Sequence, residues 1–303
     1  MGGVLLKRGI AAIAAVTAIA LTSNVMLAAG PVVPGFNTNV FLANDDGSFP
    51  ANGLGNGTPT GTPVAQALGF NVNYFGTNYS SVFVNNNGNV TFGNFLSNFT
   101  PFSLTGNTGI PIIAPFFADV DTRQGNLVTF GTGPINQAQV GGGTHNAFGV
   151  NWPGVGYFNQ HTDKLNDFQV LLIDRSDTGA GNFDIEFNYN QVQWETGDAS
   201  GGVGGLGGTS AFVGYSAGSG TAGTFAQLTG SGVNGALING GVNALVSNSN
   251  LPVPIAGEYI FQVRNGAVIN PPGAVPVPPA VWTGMLLLGA IGSFKLVRAR
   301  KSA

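Results

Sequence analysis

Apolar and polar residues alternate at period two in a series of short runs: Phe70, Val72 and Tyr74; Val82 and Val84; Val90 and Phe92; Phe168, Val170 and Leu172; Phe183, Ile185 and Phe187; Tyr259, Phe261 and Val263. Successive side chains of an extended strand point to opposite faces, so each run predicts a strand with one buried and one solvated face. Between the runs stand Asp45-Asp46-Gly47, Asn86-Asn87-Gly88-Asn89 and Gly179-Ala180-Gly181, residue types that accept left-handed backbone and close tight turns. The second of these joins residues 82–85 to 89–92 and predicts a hairpin loop.

Composition sharpens this picture. The 303 residues include 49 Gly and 17 Pro, poor helix formers that suit numerous turns, while the apolar stock is rich in Val, Ile, Phe and Tyr. The predicted fold is all-β, an antiparallel sandwich or barrel-like domain of many short strands, flanked by an N-terminal signal helix and a short C-terminal transmembrane helix. The chain has no cysteine, so it offers no disulfide, lipoprotein thiol, zinc thiolate site or cysteine nucleophile. A body of about 240 residues can still bury roughly 70% of its unfolded surface, and a cysteine-free exported domain fits a bacterial origin better than an animal one.

Charge is distributed unevenly. Lys7 and Arg8 open the chain and Lys295, Arg298, Arg300 and Lys301 close it, leaving Arg123, Lys164, Arg175 and Arg264 against all 13 acidic residues in between. A body this acidic repels polyanions, which excludes nucleic acid as a partner.

The two ends have their own chemistry. Residues 1–29 combine basic Lys7 and Arg8, an apolar run over 10–21 and a small-residue stretch at Ala28 and Ala29, the layout of a removable secretory signal peptide. Residues 30–67 form an irregular, extended lead-in. At the other end, 266–280 are a Pro-rich tether. Residues 281–297 reach about the minimum spanning length, with Trp282 suited to one interface and Lys295 to the other, and 298–303 are a basic cytoplasmic tail.

Val275, Pro276, Val277 and Pro278, followed by Ala280-Val281-Trp282, the Gly-Leu-rich segment and the Arg-rich stop, resemble the PEP-CTERM sorting signal of Gram-negative bacteria. The resemblance implies an exosortase-like processing enzyme as partner and transient inner-membrane anchoring through the C-terminal helix before processing. Delivery to the cell surface, outer membrane or extracellular matrix follows from it. Val277 stands where that family usually carries Glu, so cleavage and simple retention by the helix both stay open.

Within residues 68–265, three separated motifs occur in order. They are Leu68-Gly-Phe-Asn-Val-Asn-Tyr-Phe-Gly76 with Tyr79-Ser-Ser-Val-Phe-Val-Asn-Asn-Asn-Gly88, then Ile112-Ile-Ala-Pro-Phe-Phe-Ala-Asp-Val-Asp-Thr-Arg123, then Ala147-Phe-Gly-Val-Asn-Trp152 with Asn166-Asp-Phe-Gln-Val-Leu-Leu-Ile-Asp174. Together they resemble the NIDO domain, an extracellular module named after nidogen. That resemblance implies cell-matrix adhesion and no established catalytic site.

Candidate chemistry is sparse. Gly214-Tyr-Ser216-Ala-Gly218 fits a nucleophile elbow, but no helix-forming sequence follows it, and His145 and His161 precede the serine, so a turn is expected. Gly202-Val-Gly204-Gly-Leu-Gly207 matches a dinucleotide fingerprint without the following helix that would face the phosphates, and is expected to be a flexible loop. Asp184 and Glu186 share a strand face and are expected to be solvated, the alternative being an acid-base pair acting on a glycoside. Asp119 and Asp121 end an apolar run, where they either pair with Arg123 or hold calcium, the only cofactor the sequence suggests. Asn44-Asp45-Asp46-Gly47 is a weaker calcium candidate, and the two histidines are expected in surface loops. The function expected is that of an exported surface or matrix protein, not an enzyme, that mediates cell-matrix adhesion or associates with biofilm exopolysaccharide or surface proteins. The alternatives are a secreted polysaccharide hydrolase and a calcium-dependent carbohydrate-binding module.

Overall fold

The computed structural model describes residues 31–50, 52–53, 59–136 and 142–269. The signal peptide, the sorting motif at Val275, Pro276, Val277 and Pro278 and the C-terminal helix lie outside these residues. Among the described residues no helix is long and apolar enough to cross a membrane.

The strands of three residues or more are β1 (Gln66–Tyr74), β2 (Thr77–Asn85), β3 (Asn89–Thr91), β4 (Ile112–Phe117), β5 (Thr129–Asn136), β6 (Thr144–Tyr157), β7 (His161–Asp174), β8 (Phe183–Gln191), β9 (Phe212–Ser216), β10 (Phe225–Gln227) and β11 (Glu258–Arg264). They form two antiparallel sheets. The eight-stranded sheet runs Asn39–Val40, β5, β6, β7, β8, β11 and Ala267–Val268, with Val120–Asp121 paired to β6. The six-stranded sheet runs β10, β9, β4, β3, β2 and β1. Every predicted alternating run lies in or beside a strand, and the predicted hairpin pairs Phe83 with Thr91, Val84 with Val90 and Asn85 with Asn89.

One continuous core joins the sheets. Val82, Val84, Val90 and Phe116 from the smaller sheet pack with Val150, Trp152, Phe168, Val170, Ile185 and Phe187 from the larger. Burying a side chain of this size contributes about 1.5–3 kcal/mol, which is how a chain without disulfides holds together. Polar tips of the large aromatics find partners across the core: Tyr189 Oη donates to the Pro115 carbonyl at 2.6 Å and Trp152 Nε1 donates to the Asn86 carbonyl at 2.9 Å.

The hairpin loop is tucked inside. Gly88 has a φ of 69° and its carbonyl accepts the Phe116 N–H at 3.2 Å. A methyl group at this position would overlap the Phe116 carbonyl oxygen. Gly88→Ala is therefore expected to lower stability by about 3 kcal/mol, combining left-handed strain with displaced backbone. Urea unfolding that moved by under about 1 kcal/mol would mean the loop can leave β4 freely.

The outer face of the larger sheet departs from the expectation of solvated positions. Asp184 and Glu186 are buried, at 0% and 3% exposure, Asp184 against Arg175 and Arg264 and Glu186 in a polar row that the lead-in contacts. Phe36 of the lead-in packs with Ile135, Ala147, Leu171 and Ile173. Gly149 makes room for that ring, since a Cβ there would stand 2.5 Å from Phe36 Cγ. Beside it runs a polar row in strand register, Asn151 opposite Gln169 and Gln169 opposite Asn188. Gln169 both accepts from the Val33 N–H at 3.1 Å and donates to the Val33 carbonyl at 2.8 Å. Asn188 Nδ2 links Gln169 Oε1 at 3.0 Å to Glu186 Oε1 at 2.7 Å. Each amide of the row makes at least one hydrogen bond, though Asn188 Oδ1 accepts none.

Two smaller expectations also change. Residues 202–207 are a closed miniature hairpin, pairing Gly202 with Gly207 and Val203 with Leu206, and not a flexible loop. The Gly205 carbonyl accepts the N–H groups of Glu195 at 2.8 Å and Thr196 at 3.1 Å, which fastens the turn to the body. His145 and His161 lie on β6 and β7, not in loops: long strands extend past the core and carry them.

Candidate metal centre

Three stretches distant in sequence meet around residues 44–47, 86–88 and 118–121. Asn44 opens a turn, its Oδ1 accepting the Gly47 N–H at 3.0 Å, and Asp46 takes a φ of 60°, which aspartate tolerates. This turn is fastened to the third stretch by the Asn44 N–H to Thr122 Oγ1 and the Thr122 N–H to the Asn44 carbonyl, each 3.0 Å. It is fastened to the hairpin loop by the Asn86 N–H to the Gly47 carbonyl at 2.9 Å. Asn87 completes the frame, accepting the Val120 N–H at 2.9 Å and donating to Asp46 Oδ1 at 2.8 Å. Asn86 Nδ2 donates to the Val120 carbonyl.

That frame brings the carboxylates of Asp45, Asp46 and Asp119 together, with one oxygen from each lying within 4.8 Å of the others. All three residues are buried. Neither oxygen of Asp45 or Asp119 accepts a hydrogen bond, and neither does Asn86 Oδ1. Arg123 Nη2 stands 3.2 Å from Asp45 Oδ2 as an ion pair. Burial first, and the neighbouring carboxylates second, push Asp45 and Asp119 each up to about 8. Burial also raises Asp46 to about 6, against the opposing hydrogen bond from Asn87. Buried carboxylates without donors are costly, so the pocket favours protons or a cation.

Of the two residues singled out after the apolar run, Asp119 faces this pocket and Asp121 does not. Asp121 Oδ1 accepts the Arg123 N–H at 3.0 Å and Arg123 Nε at 2.9 Å, while Oδ2 accepts the Gln160 N–H at 2.8 Å and Arg123 Nη2. Its lone pairs are engaged by the ion pair that the spacing to Arg123 offered as one alternative. The companions of Asp119 come instead from the Asn44-to-Gly47 turn, more than seventy residues earlier. The signal in the sequence was two adjacent aspartates between Asn and Gly; what joined them to Asp119 was tertiary.

The other singled-out groups are engaged elsewhere. Asp184 Oδ2 accepts from Arg175 Nη1 at 2.9 Å, and Asp184 Oδ1 stands 2.6 Å from Arg264 Nη1. Ser216 is buried at the end of β9, its Oγ accepting the Gly218 N–H at 3.1 Å and Thr108 Oγ1 at 3.4 Å. His161 Nε2 lies 2.9 Å from Asp198 Oδ2 and its ring stacks on Tyr157. His145 Nε2 lies 2.9 Å from the Gly142 carbonyl.

This architecture defines the class of the molecule, an all-β domain of two facing antiparallel sheets. The chain belongs to the nidogen-like domain family, whose profile matches residues 80–265. It is similar to alpha-tectorin of Homo sapiens, 34% identical over 221 residues that cover 67% of this chain and 10% of that protein. It is similar also to alpha-tectorin of Gallus gallus, 32% identical over 162 residues covering 48% and 8%, and to nidogen of Drosophila melanogaster, 26% identical over 218 residues covering 63% and 14%. The chain thus spans about a tenth of the length of the curated relatives it matches. No solved structure matches it. The matched region contains Asp119, whereas Asp45 and Asp46 precede it.

Proposed function

We propose that the chain is an exported cell-surface or extracellular-matrix protein whose nidogen-like domain mediates adhesion, through surface proteins or exopolysaccharide, and is not an enzyme. The observation that carries this reading is the family match over residues 80–265, together with relatives named alpha-tectorin and nidogen. Residues 1–29 serve export, and Val275 to Pro278 with the following apolar segment sort the protein through an exosortase-like enzyme in a Gram-negative envelope. The hydrolase alternative draws no support from Asp184 and Glu186, because both carboxylates are buried and Asp184 is committed to two arginines.

Deleting residues 275–303 tests the reading in cells. Fractionation is expected to move the protein from the envelope or matrix into a different fraction, and cell aggregation or biofilm mass is expected to fall. Unchanged location and unchanged aggregation would sink the proposal.

A further inference from the structure

We propose that Asp45, Asp46 and Asp119 form a calcium site that clamps the N-terminal lead-in to the β2–β3 loop and to the segment after β4. Three observations carry it. The first is distance: two oxygens on opposite sides of one calcium ion, each about 2.4 Å away, are about 4.8 Å apart, so carboxylate oxygens within 4.8 Å of one another all fit a single ion. The second is the missing donors. Asp119 is at 0% exposure, yet no protein group donates to either of its carboxylate oxygens, and Asp45, at 1%, has only the Arg123 ion pair at one oxygen, although N–H groups saturate Asp121 close by. A fold that satisfies one buried carboxylate this fully and leaves Asp119 beside it without any donor favours a positive ligand at those oxygens.

The third observation is the frame. Asn44, Asn86 and Asn87 use their backbone or amide groups to fix the three stretches, and Gly197 lies so close that a Cβ there would stand 2.5 Å from Asp119 Oδ2. The Asp119 carboxylate is thus held by packing instead of by hydrogen bonds. Asn86 Oδ1, another buried oxygen without a donor, belongs to the same frame. All the donors are hard oxygens, with no cysteine in the chain and neither histidine in the group, which disfavours zinc. Magnesium holds on to its waters and demands octahedral geometry, whereas calcium accepts many protein oxygens, and a pocket this enclosed suits the latter. Arg123 offsets Asp121, so that one divalent ion answers most of the remaining charge.

The inference does not depend on the adhesive role, since a clamp of this kind stabilises the domain whatever it contacts. Its test is thermal unfolding of the purified full-length chain in chelator, in calcium and in magnesium, with calorimetric titration alongside. Calcium at about a hundredfold over a Kd near 10⁻⁴ M is expected to raise Tm by about 5 °C or more, with one ion bound per chain. Magnesium is expected to do less than half as much. Asp119→Asn keeps side-chain volume and removes an unpaired charge, so in chelator it should melt no lower than the unaltered protein while losing the calcium response. Gly197→Ala, which crowds Asp119 alone, should weaken calcium binding at least tenfold. Absence of calcium binding by titration overturns the site, and so does a full calcium response in Asp119→Asn. An equal response to magnesium overturns the assignment to calcium.

Discussion

Replacing Asp184 with alanine is expected to destabilise the domain by about 3 kcal/mol, at the low end for breaking a buried ion pair because Arg175 keeps Asp177. Arg175 is nearly as buried as Asp184, its Nε reaching Asp177 Oδ1 at 3.0 Å and its Nη1 reaching Asp184 Oδ2 at 2.9 Å. Arg264 also donates to the Phe183 carbonyl at 2.9 Å, so removal of the carboxylate takes one partner from each of two guanidinium groups without freeing either completely. Urea unfolding should report the loss as a lower midpoint at unchanged slope. Exchanging Arg175, Asp184 and Arg264 together for apolar residues of similar volume should recover most of the stability, since a buried pair adds little beyond a packed hydrophobic replacement. If Asp184→Ala costs less than about 1 kcal/mol, water reaches the pair and the cover over this face is not tight.

Trp152→Ala is the larger perturbation, with an expected cost of about 3–5 kcal/mol. The indole is fully buried and stacks on Phe168 with ring centroids 5.0 Å apart and planes 10° from parallel. Its Nε1–H also donates to the Asn86 carbonyl, which accepts the Gly88 N–H as well, in the loop that frames the acidic pocket. Trp152→Phe separates the two contributions. It retains most of the burial but removes one of two donors to the Asn86 carbonyl, which keeps the Gly88 N–H at 2.8 Å, for a loss of about 1 kcal/mol. Guanidinium unfolding followed by circular dichroism distinguishes the cases; equal costs for the two variants would mean that the hydrogen bond, not the packing, dominates.

The strands were legible because period-two alternation is a local signal, and Val82, Val84, Val90, Phe168, Val170, Phe187 and Phe261 all face the core as it requires. The hairpin at 86–88 was legible for the same reason, since Asn and Gly encode its backbone directly. The fate of the opposite face was not local. Alternation on β8 says that Asp184 and Glu186 point away from Ile185, but Asp184 is enclosed by Arg175 and Arg264, and Glu186 joins through Asn188 the row at Gln169 that Val33 reaches, 136 positions along the chain. The pocket was half legible: Asp119 and Asp121 stood out as a pair, while the choice between them turned on which one Arg123 and the Gln160 N–H engaged. The residues 202–207 misled because a run of glycines has the same composition in a flexible loop as in a hairpin whose carbonyls are taken by Glu195 and Thr196.

The clasp between Val33 and Gln169 has a practical consequence for anyone expressing this domain. The family match starts at residue 80, yet Phe41 and Val72 belong to the core and Phe36 seals the outer sheet. A fragment cut at residue 80 would discard β1, bare the backbone of β2 to a new neighbour and wet the amide row beneath Val33. Such an edge invites intermolecular strand pairing. The folding unit accordingly includes Val33, Phe36 and Phe41, and a fragment drawn from similarity alone is expected to associate through its bared edge.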